Sequence, residues 1–328
     1  MIIQFRTLEE KLHEILLTYG FPSGQSAQIA KIFAESTLDG VFSHGINRFP
    51  RFIGDVKDGI VVPGAEPDRI QQFSAFEQWD GRQGAGISNA LFSTDRSMEL
   101  ALEFGIGCIG LRNTNHWMRG GSYGWRAAEK GFLFLGWTNT IPNMPPWGGT
   151  RAALGNNPFI MAIPRSQEHV VLDMAMSQYS YGKLEWHKRT GKDLNEYGGY
   201  GPDNALTKDP DKILQSQRIL PAGLWKGSAL ALVLDLAAGI LAGGNTSKQV
   251  GELGSESNLS QVFIAIDIDR HLSPDQREEL LQESLSFLRE QNPDARYPGQ
   301  RSKEERERQL EHGIALPDEL WSEILKLR

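Results

Sequence analysis

Two short stretches hold the side chains best suited to chemistry. The first is Ser43-His44-Gly45-Ile46-Asn47-Arg48. An unperturbed imidazole titrates near pH 6.5, so His44 suits proton transfer at neutral pH. Ser43 sets a hydroxyl beside it, and Gly45 lets a ligand approach the backbone. Arg48 follows four residues later, a spacing that on a helix puts both side chains on one face. A guanidinium holds a carboxylate through two parallel hydrogen bonds, fixing orientation as well as charge. Arg51, just beyond, reads as a surface cation. The second stretch, Asn115 to Trp125, crowds an amide, an imidazole, two indoles, a guanidinium and the Gly120-Gly121 pair into eleven residues. Asn115 and His116 can polarise a carbonyl or hold a hydroxyl, and Trp117 offers a flat wall. Together the two stretches describe an enzyme for a small, polar, anionic substrate: a proton donor, a carboxylate clamp, and donors aimed at an oxygen that gains charge. The plainer alternatives are a surface histidine, a surface ion pair and an aromatic loop at a subunit contact. Asp39 and Asp173 are the candidate carboxylates to orient His44.

Other chemistries lack their patterns. The remaining histidines, His13, His169, His187, His271 and His312, show no HxH or HExxH spacing, so no metal site is expected. Neither a GxSxG elbow nor a Walker loop is present. Gly105-Ile106-Gly107-Cys108-Ile109-Gly110 matches GxGxxG in letters only. A dinucleotide loop runs from a strand, through the glycines, into a helix whose N-terminus meets the pyrophosphate. Here a helical pattern precedes the glycines and a strand-like run overlaps them. A helix C-cap leading into a tightly packed strand is the better reading.

The elements that must position these residues follow from periodicity. Leu8, Leu12, Ile15, Leu16 and Tyr19 repeat at helical spacing after Thr7, a plausible N-cap, and Gly20 ends the run. Further helices are expected at 26–38, 87–104, 224–242, 274–290, 302–311 and 318–327. Short apolar runs at 106–111, 132–138, 159–163 and 170–173 read as buried strands, and 261–268 as a strand by alternation. Strands and helices mix without strict alternation, which favours a mixed α/β fold over a regular doubly wound one. The 328 residues are 40% hydrophobic and 23% charged, ordinary for a globular chain. A net charge of −7 argues against nucleic acid and against docking to anionic membranes. Cys108, the single cysteine, cannot form an internal disulfide and reads as a small core residue. The longest apolar run, 229–244, contains Asp235 and falls short of the roughly 20 residues that span a bilayer. With no signal-peptide pattern at Met1 to Arg6, a soluble cytoplasmic protein is expected.

A family resemblance runs through these same residues. Val41-Phe42-Ser43-His44-Gly45-Ile46-Asn47-Arg48-Phe49-Pro50-Arg51-Phe52 resembles the opening signature of the malate/L-lactate dehydrogenase family, whose fold is not the Rossmann fold. Asn115-His116-Trp117, Leu154-Gly155-Asn156-Asn157-Pro158, Leu172-Asp173-Met174-Ala175, Leu206-Thr207-Lys208-Asp209-Pro210 and Pro221-Ala222-Gly223-Leu224-Trp225-Lys226-Gly227 agree with it in order, so the likeness covers nearly the whole chain. Pro145-Pro146-Trp147-Gly148 and Arg218-Ile219-Leu220-Pro221 resemble one branch, whose members reduce a diketo acid derived from a sugar. The resemblance implies a mixed sheet flanked by helices and a homodimeric reductase of 2-keto acids using NADH or NADPH. It puts the proton donor at His44 and the substrate pocket at Arg48, Asn115 and His116. It puts cofactor contacts at His169, Val170, Val171, Leu172, Asp173, Met174 and Ala175, at Trp225 and Lys226, and at Gly299, Gln300 and Arg301. One interwoven unit is expected, with a helical substrate lobe from 1–78 plus 245–328 and a cofactor lobe from 79–244.

Overall fold

Alternation along the central strand sorts the core into two layers. In Leu259–Ile266, Phe263 and Ala265 enter one apolar cluster, while Val262 and Ile264 join the other. Successive side chains on a pleated strand point to opposite faces, so one strand can serve both layers. The computed structural model describes residues 1–166 and 168–327.

The first part of the chain runs β1 (Ile2–Ile3), α1 (Phe5–Thr18), α2 (Ser23–Leu38), two 3-10 turns (Phe42–His44 and Ile46–Arg48), α3 (Phe49–Lys57), β2 (Asp68–Phe73), β3 (Phe76–Asp80), α4 (Gly86–Phe104) and β4 (Ile106–Thr114). Next come α5 (Gly121–Glu129), β5 (Leu133–Thr138), β6 (Phe159–Ile163), β7 (Val170–Met174), α6 (Tyr181–Thr190), β8 (Gly199–Tyr200), β9 (Leu206–Thr207) and α7 (Pro210–Ser216). The last part is α8 (Trp225–Ala242), α9 (Ser247–Glu252), β10 (Leu259–Ile266), a 3-10 turn (Ile268–Arg270), α10 (Pro274–Gln291), α11 (Gln300–His312), β11 (Ile314–Ala315) and α12 (Asp318–Leu325).

Among the described residues a seven-stranded sheet has the order β2-β3-β4-β10-β5-β6-β7. Its β3–β4 pair, joined through α4, is parallel and the other pairs are antiparallel. This is the mixed sheet flanked by helices that the sequence implies. One cluster fills the side of α1, α2, α3, α4, α5 and α12, and the other the side of α6, α7 and α8. The glycine-rich hexapeptide is no phosphate loop. Gly105 caps the C-terminus of α4 at φ +86°, and a Cβ on Gly110 would strike the Leu241 backbone of α8.

Several expectations shift. Helix α1 begins at Phe5 with Gln4 as N-cap, so Thr7 lies inside the helix; Phe5 packs against the same core as Leu8 and Leu12. His44 and Arg48 do not share a helix face, because Gly45, at φ −105° and ψ −131°, breaks the chain into two 3-10 turns. Pro50 sits at the start of α3, where its missing N–H costs nothing. The Asn115 to Trp125 stretch is a loop only as far as Gly120, since α5 begins at Gly121. Strand β10 starts two residues before the expected 261–268. The sequence offers no sign of β2, because every residue in it is exposed and no apolar alternation marks it.

Helix α8 is long and apolar enough to cross a membrane by length and composition alone. Its inner face packs against β4, β5 and β10. There the buried Asp235 accepts hydrogen bonds from Asn139 Nδ2 at 3.0 Å and from the Ser247 N–H at 2.8 Å. Its outer face leaves Trp225, Val233 and Ile240 at 61%, 59% and 75% exposure.

Candidate active site

The His44 turn is pinned from behind. Thr37, in the last turn of α2, accepts the Ile46 N–H at 2.9 Å. A Cβ on Gly45 would collide with that same Thr37, so only glycine lets the turn lie against α2. The loop bearing His116 is held in the same manner. Its backbone rests on Gly86 at the start of α4, and the Asn115 amide nitrogen donates to the carbonyls of Ile60, Gln83 and Gly84 at 3.1, 2.8 and 3.0 Å. Below the loop Trp117 and Tyr123 are fully buried against Phe263, and the Tyr123 hydroxyl bonds the Trp117 carbonyl. Burying side chains of this size contributes on the order of 2–3 kcal/mol each. The loop is therefore a rigid support.

These supports bring the two imidazoles together. The rings of His44 and His116 stack with centroids 5.8 Å apart and planes 22° from parallel. His116 Nδ1 accepts the Met118 N–H at 2.9 Å. That fixes its tautomer: neutral His116 carries its proton on Nε2 and is a donor there. His44 Nδ1 faces the Ser43 hydroxyl at 3.0 Å. Ser43, and neither Asp39 nor Asp173, is thus the group that orients His44. Asp39 is taken by Arg119 and by Arg306 at 2.6 Å, and Asp173 accepts the Gly121 N–H at 2.7 Å.

Electrostatics keep both rings neutral. Burial first, then the charges of Arg48 and Arg119, push His44 down to about 3, with Glu256 pulling the other way. Burial, followed by Arg48 and Arg51, holds His116 well below its ordinary value. Burial raises Asp173, partly offset by the Gly121 N–H and Arg119. Arg119 is nearly buried, lies over the Trp125 ring at 4.7 Å and donates to Ser302 at 3.1 Å. It thereby ties the His116 loop to α2 and α11.

A cavity of about 1250 Å³ opens in front of the histidines. His44, Arg48, His116, Val171, Leu172, Asp173, Ala175 and Gly299 all line it, so residues from four distant parts of the chain converge. His169 and Gln300 line an adjoining hollow that shares Arg119, Trp125, Gly299 and Ser302 with the main cavity. Asn115 lines a side chamber instead. Val170, Met174, Trp225, Lys226 and Arg301 line none of these. Met174 packs into the second apolar cluster, and Trp225, Lys226 and Arg301 are exposed. Two contributors escaped the sequence reading. Arg51 lines the main cavity and the side chamber, and Glu256 pairs with Arg48 Nη2 at 3.0 Å. Glu256 stands 208 residues from its partner in a plain serine-flanked loop, where no pattern marks it.

The residues present fit a dinucleotide. The cavity exceeds the roughly 300–1,000 Å³ that drug-sized ligands occupy. Gly299, at φ +98°, lies so close to the Val171 backbone and Trp125 that a Cβ would press on both, and it lines the cavity there. Val171, Asp173 and Gly299 would hold such a group at the wall facing the histidines.

Comparison with known proteins agrees with this arrangement. The sequence profile of the malate/L-lactate dehydrogenase family, one of nicotinamide-dependent dehydrogenases, matches residues 3–325. The chain is 42% identical to the 2,3-diketo-L-gulonate reductase of Citrobacter koseri and 41% identical to that of an Escherichia coli strain, over all of both chains in each case. Among solved structures, malate dehydrogenase from Entamoeba histolytica has the same fold, with a TM-score of 0.93 at 23% identity, over 100% of this chain and 97% of that one. Delta1-piperideine-2-carboxylate reductase from Pseudomonas syringae superposes with a TM-score of 0.88 at 26% identity over the full length of both.

Proposed function

The chain belongs to the malate/L-lactate dehydrogenase family, and on that premise we propose that it reduces 2,3-diketo-L-gulonate to 3-keto-L-gulonate with NADH. The observation that carries this reading is the stacked His44–His116 pair, with His116 locked as an Nε2 donor and Arg48 on the same cavity wall. The full-length identity of 40–42% to reductases of that acid supports the substrate. A reduced nicotinamide supplies the hydride when bound.

The protein's own groups do the rest. Arg48 holds the carboxylate and so selects which carbonyl faces the cofactor. His116 Nε2–H donates to the ketone oxygen as charge builds on it. His44, as imidazolium, gives that oxygen its proton, an effect typically worth about 10²–10⁴-fold. His44 is neutral in the empty site, because burial and the positive charge of Arg48 and Arg119 disfavour its protonation. A bound carboxylate offsets those charges and returns the proton to His44 when it is needed. Substrate binding and acid activation are one event on this account.

The preference for NADH is supported by the basic groups near 299–301. Lys303, Arg306 and Arg296 are engaged with Glu168, Asp39 and Glu304. A 2′-phosphate would need an unengaged cation at the cavity; of Arg296, Arg301, Lys303 and Arg306 only Arg301 is outside such pairs, and it lines none of the cavities. A homodimer is proposed as well. The outer face of α8 is an apolar stripe of the kind that partner subunits cover, and a subunit docked at its start would receive Trp225 and Lys226.

The test is the fall in absorbance at 340 nm with NADH and NADPH, against 2,3-diketo-L-gulonate, pyruvate, oxaloacetate and a cyclic imino acid in parallel. Fast oxidation of NADH with the diketo acid is the expected result. Activity with the simpler acids alone would keep the family chemistry and overturn the substrate.

A further inference from the structure

A side chamber of about 210 Å³ lies beyond the Arg48–Glu256 pair, and nothing in the reduction of a ketone requires it. It shares Arg48, Arg51, His116, Met118 and Glu256 with the main cavity, so the two spaces meet beside the imidazole that faces the ketone. A carbon chain running on from a carbonyl held at His116 would have this space to enter.

The walls of the chamber are made for a polyhydroxylated chain. Phe52, Ile60 and Val61 give it apolar surface. Its polar groups are underused. Glu256 is 13% exposed and accepts from Arg48 through Oε2, which leaves Oε1 without a partner among the described residues. Asp55 and Arg51 line the chamber with no side-chain hydrogen bond or ion pair to any described residue. Asn115, only 3% exposed, lines it too, and its Oδ1 is buried with no partner among them. Polar groups on the wall of such a chamber are met by water when it is empty, and a ligand gains affinity by displacing that water only if it restores the same hydrogen bonds. Hydroxyls restore them, being both donors and acceptors, whereas methyl groups restore none and a second carboxylate, an acceptor only, serves Arg51 but not Glu256, Asp55 or Asn115 Oδ1.

We propose that this chamber is the subsite for the hydroxyl-bearing tail of the keto acid, with Glu256 and Asp55 accepting from tail hydroxyls and Arg51 donating to them. The inference rests on the reading of the chain as a 2-keto acid reductase and adds the residues that set its substrate. A tail-free acid such as pyruvate leaves the chamber to water. Oxaloacetate would bring a second carboxylate that Arg51 can hold but that Glu256 and Asp55 oppose, so it satisfies fewer of the chamber's groups than hydroxyls do. A site built to hydrogen-bond a hydroxyl discriminates more sharply than an apolar pocket, because its own polar groups go unpaired with the wrong substrate.

The experiment compares kcat/KM for 2,3-diketo-L-gulonate and for pyruvate in the wild-type protein and in Glu256→Gln, Asp55→Asn and Ser255→Leu, the last of which fills the chamber. Thermal melting of each variant controls for folding. The ratio of diketo acid to pyruvate is expected to drop about 10–100-fold in Glu256→Gln and Ser255→Leu, mostly through KM. If Glu256 served only to hold Arg48, both substrates would suffer together, since both carry the carboxylate. An unchanged ratio in folded variants overturns the subsite and leaves the reaction standing. Wild-type protein active on pyruvate but silent with the diketo acid overturns the substrate reading itself.

Discussion

The histidine pocket and the outer face of α8 depart in opposite directions from the usual division between inside and outside. In the pocket, two imidazoles are half-buried and a guanidinium is withdrawn from water: Arg119 is 4% exposed, and burial holds His44 and His116 below their ordinary value. On α8, an indole and two branched aliphatic chains are left in water. Each departure costs free energy in the isolated chain. On the proposed function each is offset by binding, of an anionic substrate in one case and of an apolar partner surface in the other. A polar group buried with open valences points to a small ligand, and an apolar stripe left exposed points to a macromolecular one.

The sharpest way to break the first half of that comparison is His44→Ala. If His44 is the proton donor, kcat for reduction falls about 10²–10⁴-fold. The affinity for NADH, followed by its fluorescence, changes little, because the substitution leaves the Val171–Gly299 wall alone. Turnover at the wild-type level would remove His44 from the role.

Arg48→Lys probes the same pocket with a smaller effect. A lysine keeps the charge but loses the planar fork that fixes a carboxylate. We expect kcat/KM to fall about 10–100-fold, expressed mainly in KM, in keeping with the loss of one charge-assisted hydrogen bond. A loss confined to kcat would mean that Arg48 acts on the transition state and not on the carboxylate.

The two regions were unequally legible in the sequence. His44, Arg48 and His116 stand out because their types are rare in such density and their neighbours are small or rigid, and the fold brings all three to one cavity. Glu256 was invisible, since its meaning depends on a partner 208 residues away. Arg51 is exposed, as a surface cation is, and nothing in its neighbours announces that it also lines the cavity. The strands of the sheet were legible where both faces are buried, as in β4 and β10, and not where the strand is wholly exposed, as in β2. The α8 stripe was hidden for a different reason. A run that is apolar all round gives no moment to say which face the chain covers and which it leaves for a partner.

The pH dependence sharpens the account of His44. Its folded value of about 3 lies below the ordinary 6.5 because burial and neighbouring cations disfavour the imidazolium. On the proposed mechanism the protonated form is the active one in reduction, so rates are expected to fall as pH rises through the relevant value. kcat/KM reports the enzyme before substrate binds, and kcat reports the complex. A bound carboxylate raises His44, so the fall in kcat is expected at higher pH than the fall in kcat/KM. Coincident limbs would mean that the substrate charge does not reach His44. Stability carries the same sign. The unfolded chain takes up the proton first as pH drops, so the contribution of neutral His44 is complete above about pH 6.5 and is lost progressively toward pH 3. The melting temperature should decline over that window, and less so in His44→Gln.

The second half of the comparison is tested by Ile240→Glu, which has the smallest expected effect on the folded chain. Ile240 is 75% exposed, so a charge there disturbs no packing, and the unfolding free energy of the subunit should change by no more than about 0.5 kcal/mol. The consequence appears only in assembly. If α8 is where two copies meet, the charge must be stripped of water at the contact, and sedimentation velocity will show the variant as a monomer at concentrations where the wild-type protein is a dimer. Val233→Glu, on the same stripe at 59% exposure, should behave alike. A wild-type dimer that survives both substitutions would put the interface elsewhere and leave the apolar stripe to another partner.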